Sequence, residues 1–178
     1  MPTSIALLRG VNVGGNLLKM ERLRAICSEL GHRNVRTYVQ SGNVVFEATA
    51  TLSKCAAALE KTLAGETRLP VTVILRTRDE IAKILAGNPF LKVEGIDLTK
   101  LHVTFLESAA SKEALKTLAA IKAGDDEFRS AGKEIYLYCP NGYGKTKLSN
   151  NAIEKALAVR ATTRNWNSVN RLYEMAMG

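Results

Sequence analysis

Two stretches of the chain carry the same succession of apolar runs, and that repetition restricts the possible folds more than any other feature. In the first stretch, residues 4–8 read as a buried strand. Met20, Leu23, Ile26, Cys27 and Leu30 then recur at helical spacing, and Gly31 supplies a stop. Residues 35–39 and 44–46 are β-rich runs separated by Gln40-Ser41-Gly42-Asn43, which has the composition of a hairpin turn. Leu52, Ala56, Leu59 and Leu63 mark a second helix, and residues 71–75 are another apolar strand. The order β-α-β-β-α-β is that of the ferredoxin-like unit.

The second stretch keeps the rhythm. Residues 101–106 are a strand, and Leu115, Leu118 and Ala119 lie on a helix with Ser111 as N-cap and Gly124 past its end. Residues 128–130 and 134–139 flank an Ala131-Gly132-Lys133 turn, Ile153 and Leu157 lie on a helix, and 159–162 form a short final strand. Between the stretches, Thr77-x-x-Glu80 is a capping box opening a helix through Ile81, Ile84 and Leu85, which Gly87-Asn88-Pro89 ends. A last helix carries Trp166, Val169, Leu172 and Ala176 on one stripe, with Thr163 or Asn165 as its cap. The expected fold is α+β, a tandem duplication of a ferredoxin-like βαββαβ unit with a linking helix and a C-terminal helix. Residues 1–87 hold the first unit and the linking helix, 88–100 are a linker, and 101–178 hold the second unit and the last helix. Strands 4–8 and 71–75 are apolar on both faces, so both faces of that sheet should be covered, as in one compact body.

Composition narrows the function classes. With 178 residues, 46% hydrophobic and 24% charged, the chain is ordinarily globular. No apolar run approaches the roughly 20 residues needed to span a bilayer, and the start has no signal-peptide pattern, so no membrane association is expected. Three cysteines, Cys27, Cys55 and Cys139, without C-x-x-C spacing fit a reduced, cytoplasmic protein. Two distant histidines and no ligand cluster leave no expectation of a metal or other cofactor. The net charge of +8 is uneven. Residues 1–36 carry six Lys/Arg against two acids and 129–178 carry eight against three, while 37–128 are nearly balanced. Basic ends of this kind attract polyanions if the fold gathers them.

The loops distinguish the two halves. After the first strand comes Arg9-Gly10-Val11-Asn12-Val13-Gly14-Gly15-Asn16, whereas its counterpart at 107–110 has the usual short length. After the third strand the long loop belongs to the second half, as Pro140-Asn141-Gly142-Tyr143-Gly144-Lys145-Thr146-Lys147. Glycine-rich segments leading into helices expose backbone N–H groups that suit phosphate or carboxylate. Neither loop is a Walker A or a G-x-G-x-x-G fingerprint. His102 is a hydrogen-bonding residue on a polar strand face, and a helix-dipole contact accounts for His32. Packing explains Cys27 and Cys55, while Cys139, beside a loop, is the more accessible thiol. Tyr136 and Tyr138 share a strand face on which bases could stack, without a matching pair in the first half.

At these loops the sequence resembles a known family. Leu7-Leu8-Arg9-Gly10-Val11-Asn12-Val13-Gly14-Gly15 is similar to the opening signature of the bacterial family called domain of unknown function 1697. The run from Val35 to Phe46, through Gln40-Ser41-Gly42-Asn43, resembles its second block. Asn88-Pro89-Phe90, Leu101-His102-Val103-Thr104-Phe105, Pro140-Asn141-Gly142 with Lys147-Leu148, and Thr162-Thr163-Arg164-Asn165-Trp166-Asn167 resemble the rest. The resemblance implies a cytoplasmic bacterial protein with an α+β, ferredoxin-like topology, and it brings no activity, substrate or catalytic residue.

Charge and loops together lead to the expectation of a protein that binds a phosphate-bearing ligand, nucleic acid or nucleotide. The candidate ligand-binding residues are Arg9, Gly10, Asn12, Gly14, Gly15, Gln40, Ser41, Asn43, Asn141, Gly142, Lys145, Lys147, Arg164, Asn165 and Asn167. One alternative is an enzyme acting on a small anionic substrate through Arg9, Asn12, Ser41, Asn43, His102, Lys147 and Arg164, although no base–nucleophile pair is visible. The other is a non-catalytic partner-binding module.

Overall fold

The computed structural model describes residues 2–11, 17–38 and 42–178. The chain is α+β, with two four-stranded antiparallel sheets and, among the described residues, six α-helices. It divides into two compact units, Met1–Ala82 with Arg171–Gly178, and Lys83–Asn170.

In the first unit, β1 (Thr3–Arg9), β2 (Arg33–Tyr38), β3 (Asn43–Glu47) and β4 (Thr72–Thr77) form a sheet in the order β2-β3-β1-β4. Helix α1 (Met20–Glu29) joins β1 to β2, and α2 (Leu52–Thr67) joins β3 to β4. Ala6, Leu8, Val44, Phe46, Val73 and Leu75 pack against Leu23, Ile26 and Cys27 of α1 and against Cys55, Leu59 and Leu63 of α2. The alternate residues Ile5, Leu7, Val45 and Ile74 are also buried, so these strands have two covered faces and read as unbroken apolar runs. Arg36, on the edge strand β2, donates to the carbonyl of Met175 in the last turn of the C-terminal helix.

The second unit repeats the order with β5 (Leu101–Leu106), β6 (Glu127–Ala131), β7 (Glu134–Tyr138) and β8 (Ala161–Asn165), arranged β6-β7-β5-β8. Helices α4 (Lys112–Ala119) and α5 (Asn150–Leu157) cover one face over a core of Leu106, Leu118, Ile135, Leu137, Ile153 and Leu157. Ser111 caps α4 by accepting from the amide of Ala114 at 3.1 Å, as the sequence predicts. Residues 88–100 contain two 3-10 turns, Pro89–Lys92 and Leu98–Lys100, and Phe90 is buried. The linking helix α3 is Arg78–Ala86 and the last helix α6 is Trp166–Met177. The capping box at α3 is reciprocal, with Thr77 N–H donating to Glu80 at 2.7 Å and Glu80 N–H donating to Thr77 Oγ1 at 3.1 Å.

Four local expectations need correction. The final strand runs over Ala161–Asn165, not 159–162, because Ala158 adopts a left-handed φ of 54° to end α5 and the chain must turn before it can pair. Cys139 is fully buried, and burial pushes its thiol above its usual range. Tyr136 and Tyr138 do not form an open platform. Tyr136 is buried with its hydroxyl donating to Ile84 O at 2.8 Å, and the Tyr138 ring lies 5.9 Å from that of Phe90. A helix-dipole contact does not by itself account for His32, since its ring is buried against Phe46 with centroids 4.5 Å apart and its Nε2 has no partner.

Burial lowers the pKa of His32 and of His102 below the usual 6.5. The unfolded chain therefore binds protons near that pH while the folded chain resists them, and stability falls as pH drops below about 6.5. Urea unfolding midpoints at pH about 7.5 and 5.5 should differ in that direction, and an unchanged midpoint would contradict neutral, desolvated imidazoles.

Candidate functional site

In the first unit the loop begins at the end of β1, where Arg9 is half-buried. Gly10 follows with φ +95°, and a Cβ there would lie 2.8 Å from Pro70 O, so only glycine suits both the dihedral and the space. Gly42 has φ +84°, and its carbonyl accepts from Leu8 N at 2.9 Å. A Cβ at Gly42 would meet Val11 Cγ2 at 2.7 Å, so the start of the loop and the hairpin turn are packed on each other. Asn43 is fully buried and its Nδ2 donates to Tyr38 O at 2.9 Å, bridging the ends of the hairpin. Asn12, Gly14, Gly15, Gln40 and Ser41 lie outside the described residues.

The second unit holds the long loop after β7. Gly142, at φ +95°, turns the chain into a 3-10 turn over Tyr143–Lys145. Several amides here are engaged internally. Gly142 N donates to Cys139 O, Lys145 N to Gly142 O, Thr146 N to Tyr143 O and Leu148 N to Thr146 Oγ1. Helix α5 is likewise capped by its own chain, with Ala152 N donating to Ser149 Oγ at 3.2 Å and Asn150 N to the Tyr143 hydroxyl at 2.9 Å. The side chains of Asn141, Lys145 and Lys147 are all exposed.

Beneath the loop is a polar network that sequence reasoning did not single out. The Tyr143 ring stacks on His102 with centroids 4.7 Å apart and planes at 24°. Asn150 donates to Ala161 O at 3.0 Å and accepts from the Thr163 hydroxyl at 2.8 Å, and Thr163 lies 2.7 Å from Thr104 Oγ1. The available signal was Tyr143 itself, an aromatic set between two glycines and followed by two lysines. Arg164 is on the other face of β8 and is buried, with NH1 donating to Thr162 Oγ1 at 2.8 Å and Thr163 O at 3.0 Å. Burial pulls its pKa down to about 10, partly offset by its nearness to the Tyr143 phenol, so it remains cationic at neutral pH. Asn165 caps α6 by accepting from Ser168 N at 2.8 Å, while Thr163 is committed to the network, which settles the choice of cap. Asn167 is exposed.

Ion pairs reduce the basic excess at the chain ends. Arg22 is bound to Glu66 and Glu29, Arg160 grips Glu107 through two nitrogens, and Arg171 pairs with Glu174. A cleft of about 440 Å3 in the first unit, bounded by Leu17, Lys19, Arg22, Glu66 and Leu69, thus has its guanidinium neutralised. Another of about 280 Å3 in the second unit mixes Asp126 and Glu127 with Arg129. Neither cleft is lined by the candidate residues. Among the described residues no group of three His, Cys, Asp or Glu could hold a metal ion, and no helix is long and apolar enough to cross a membrane.

The model of a family described as "Protein of unknown function (DUF1697)" matches residues 1–136. Among solved structures the chain is similar to the conserved bacterial protein SP0830 from Streptococcus pneumoniae, with a TM-score of 0.81 and 21% identity over 100% of this chain and 99% of that one. At that identity the likeness is one of fold. No curated protein matches the sequence.

Proposed function

Since the chain belongs to the DUF1697 family, whose function is unknown, its role has to come from its own residues, and we propose that it binds a phosphate-bearing ligand, nucleotide or nucleic acid, through its basic Gly/Asn-rich loops. The observation that carries this reading is the pair of exposed lysines, Lys145 and Lys147, on the glycine-rich loop after β7. Arg164, buried but charged in the same unit, adds positive potential near Tyr143. Three buried free cysteines support a reducing, cytoplasmic setting.

We also infer that the two halves are copies of one ferredoxin-like unit. The strand orders correspond, and so do individual ladder positions. Ile5 pairs with Val45 and Arg76, as Val103 pairs with Tyr136 and Arg164. Val45 in turn pairs with Arg36, as Tyr136 pairs with Arg129. Arg76 and Arg164 are both buried, and each donates to the carbonyl of the preceding residue at 3.0 Å. The next residues, Thr77 and Asn165, each cap the following helix by accepting from the amide three positions on. The copy thus extends one helix beyond βαββαβ, which supports duplication of a seven-element unit in which the loops diverged.

The test is a titration with single-stranded RNA, DNA and mononucleotides at low and moderate salt. Affinity should fall as salt rises. Lys145→Ala with Lys147→Ala should weaken binding and flatten the salt dependence by roughly one power of salt for each phosphate left unneutralised. No binding to any phosphate-bearing ligand, or tight binding that ignores salt, would overturn the proposal.

A further inference from the structure

Resting on that reading, we propose that the bound phosphate carries an aromatic base, and that Tyr143 is the platform on which the base stacks. The ring is held in place before any ligand arrives. Its hydroxyl accepts the Asn150 amide at 2.9 Å, one face lies on His102, and Asn150 is itself tied to Ala161 and Thr163. A rigid aromatic loses little conformational freedom on binding, which favours its use as an anchor.

The ring packs partly against the core of the second unit and remains half-buried. Apart from the adjoining residues, Tyr143 among them, a Cβ on Gly142 or on Gly144 would meet nothing within 4 Å. Gly142 has a dihedral that favours glycine, but Gly144 does not, and no close neighbour excludes a side chain from it. Gly144 is exposed and places no side chain beside the half-buried ring. Lys145 follows immediately and Lys147 lies two residues further, so cations stand within a few bonds of the ring, the separation that a base and its own phosphate require. Inorganic phosphate or a sugar phosphate would use the lysines and leave Tyr143 idle. A base adds a stacking contact worth about 5- to 150-fold in affinity. A free nucleotide and a single-stranded nucleic acid share this chemistry.

The experiment compares base-bearing and base-free ligands on the full chain by calorimetry at low salt. The pairs are adenosine 5′-monophosphate against ribose 5-phosphate, and an oligoadenylate against an abasic oligonucleotide of the same length. At least one base-bearing ligand should bind about fivefold or more tighter than its base-free partner. Tyr143→Leu should erase that difference while leaving the base-free ligand unchanged. Gly144→Leu, which adds a side chain next to the ring at an exposed position with no other close neighbour, should do the same with an unchanged melting temperature, and it carries the test if Tyr143→Leu does not fold. Preference for the oligonucleotide alone identifies the source as nucleic acid; preference for the mononucleotide identifies a free nucleotide. Equal binding within both pairs, or a preference that survives Gly144→Leu, overturns the stacking site while leaving phosphate binding intact. Failure of every ligand to bind overturns the wider reading instead.

Discussion

Replacing Trp166 with alanine should destabilise the chain by about 3–5 kcal/mol, the usual cost of truncating a buried large aromatic. Trp166 is the first residue of α6, directly after the Asn165 cap, and only 6% of it is exposed. It begins the stripe continued by Val169, Leu172 and Ala176, all buried. The side chain therefore fixes the helix at the point where its strand ends, and a cavity there cannot be refilled by an exposed neighbour such as Asn167. For a chain of this length each kcal/mol lowers Tm by roughly 2–4 °C, so the melting midpoint should drop by about 10 °C. A thermal melt monitored by circular dichroism measures it. An unchanged midpoint accompanied by loss of ligand binding would make Trp166 a contact residue.

The stripe that makes this prediction possible was readable because helical periodicity survives in sequence whenever one face is buried. The same holds for α1, α2, α4 and α5, and for β1 and β4, whose unbroken apolar runs signal two covered faces. What misled was chemistry that depends on tertiary partners. The shift of β8 follows from a left-handed alanine at position 158, a conformation without the usual Gly or Asn signal. Cys139 is next to a loop in sequence, yet it is part of the core beneath that loop with Leu148 and Ile153.

The candidate site divides in the same way. Its loops were legible because Gly, Asn and Lys in an over-long connection are visible without a fold. The orientation of individual side chains was not. Arg164 and Asn165 are adjacent, but strand alternation sends one to a buried face and turns the other into a helix cap. The Tyr143–His102 stack joins residues 41 positions apart, and no local pattern announces such a pair.

Substituting alanine at Gly10 and at Gly142 should separate two costs that glycine ordinarily conceals. Both residues have φ +95°, so an L side chain suffers similar backbone strain at either, about 1–3 kcal/mol. At Gly142 nothing lies within 4 Å of the new Cβ, and that strain should be the whole loss. At Gly10 the Cβ would also come within 2.8 Å of Pro70 O, a backbone atom that cannot rotate away, with Val71 Cα behind it at 3.7 Å. The segment leading into β4 would have to move, and overpacking of this kind adds about 1–3 kcal/mol. Gly10→Ala should therefore lose about 3 kcal/mol or more, and exceed Gly142→Ala by the cost of the close approach alone. Urea unfolding of the two single variants provides the comparison. Equal losses would show that the Pro70 segment yields freely, leaving the dihedral as the sole reason for glycine at position 10.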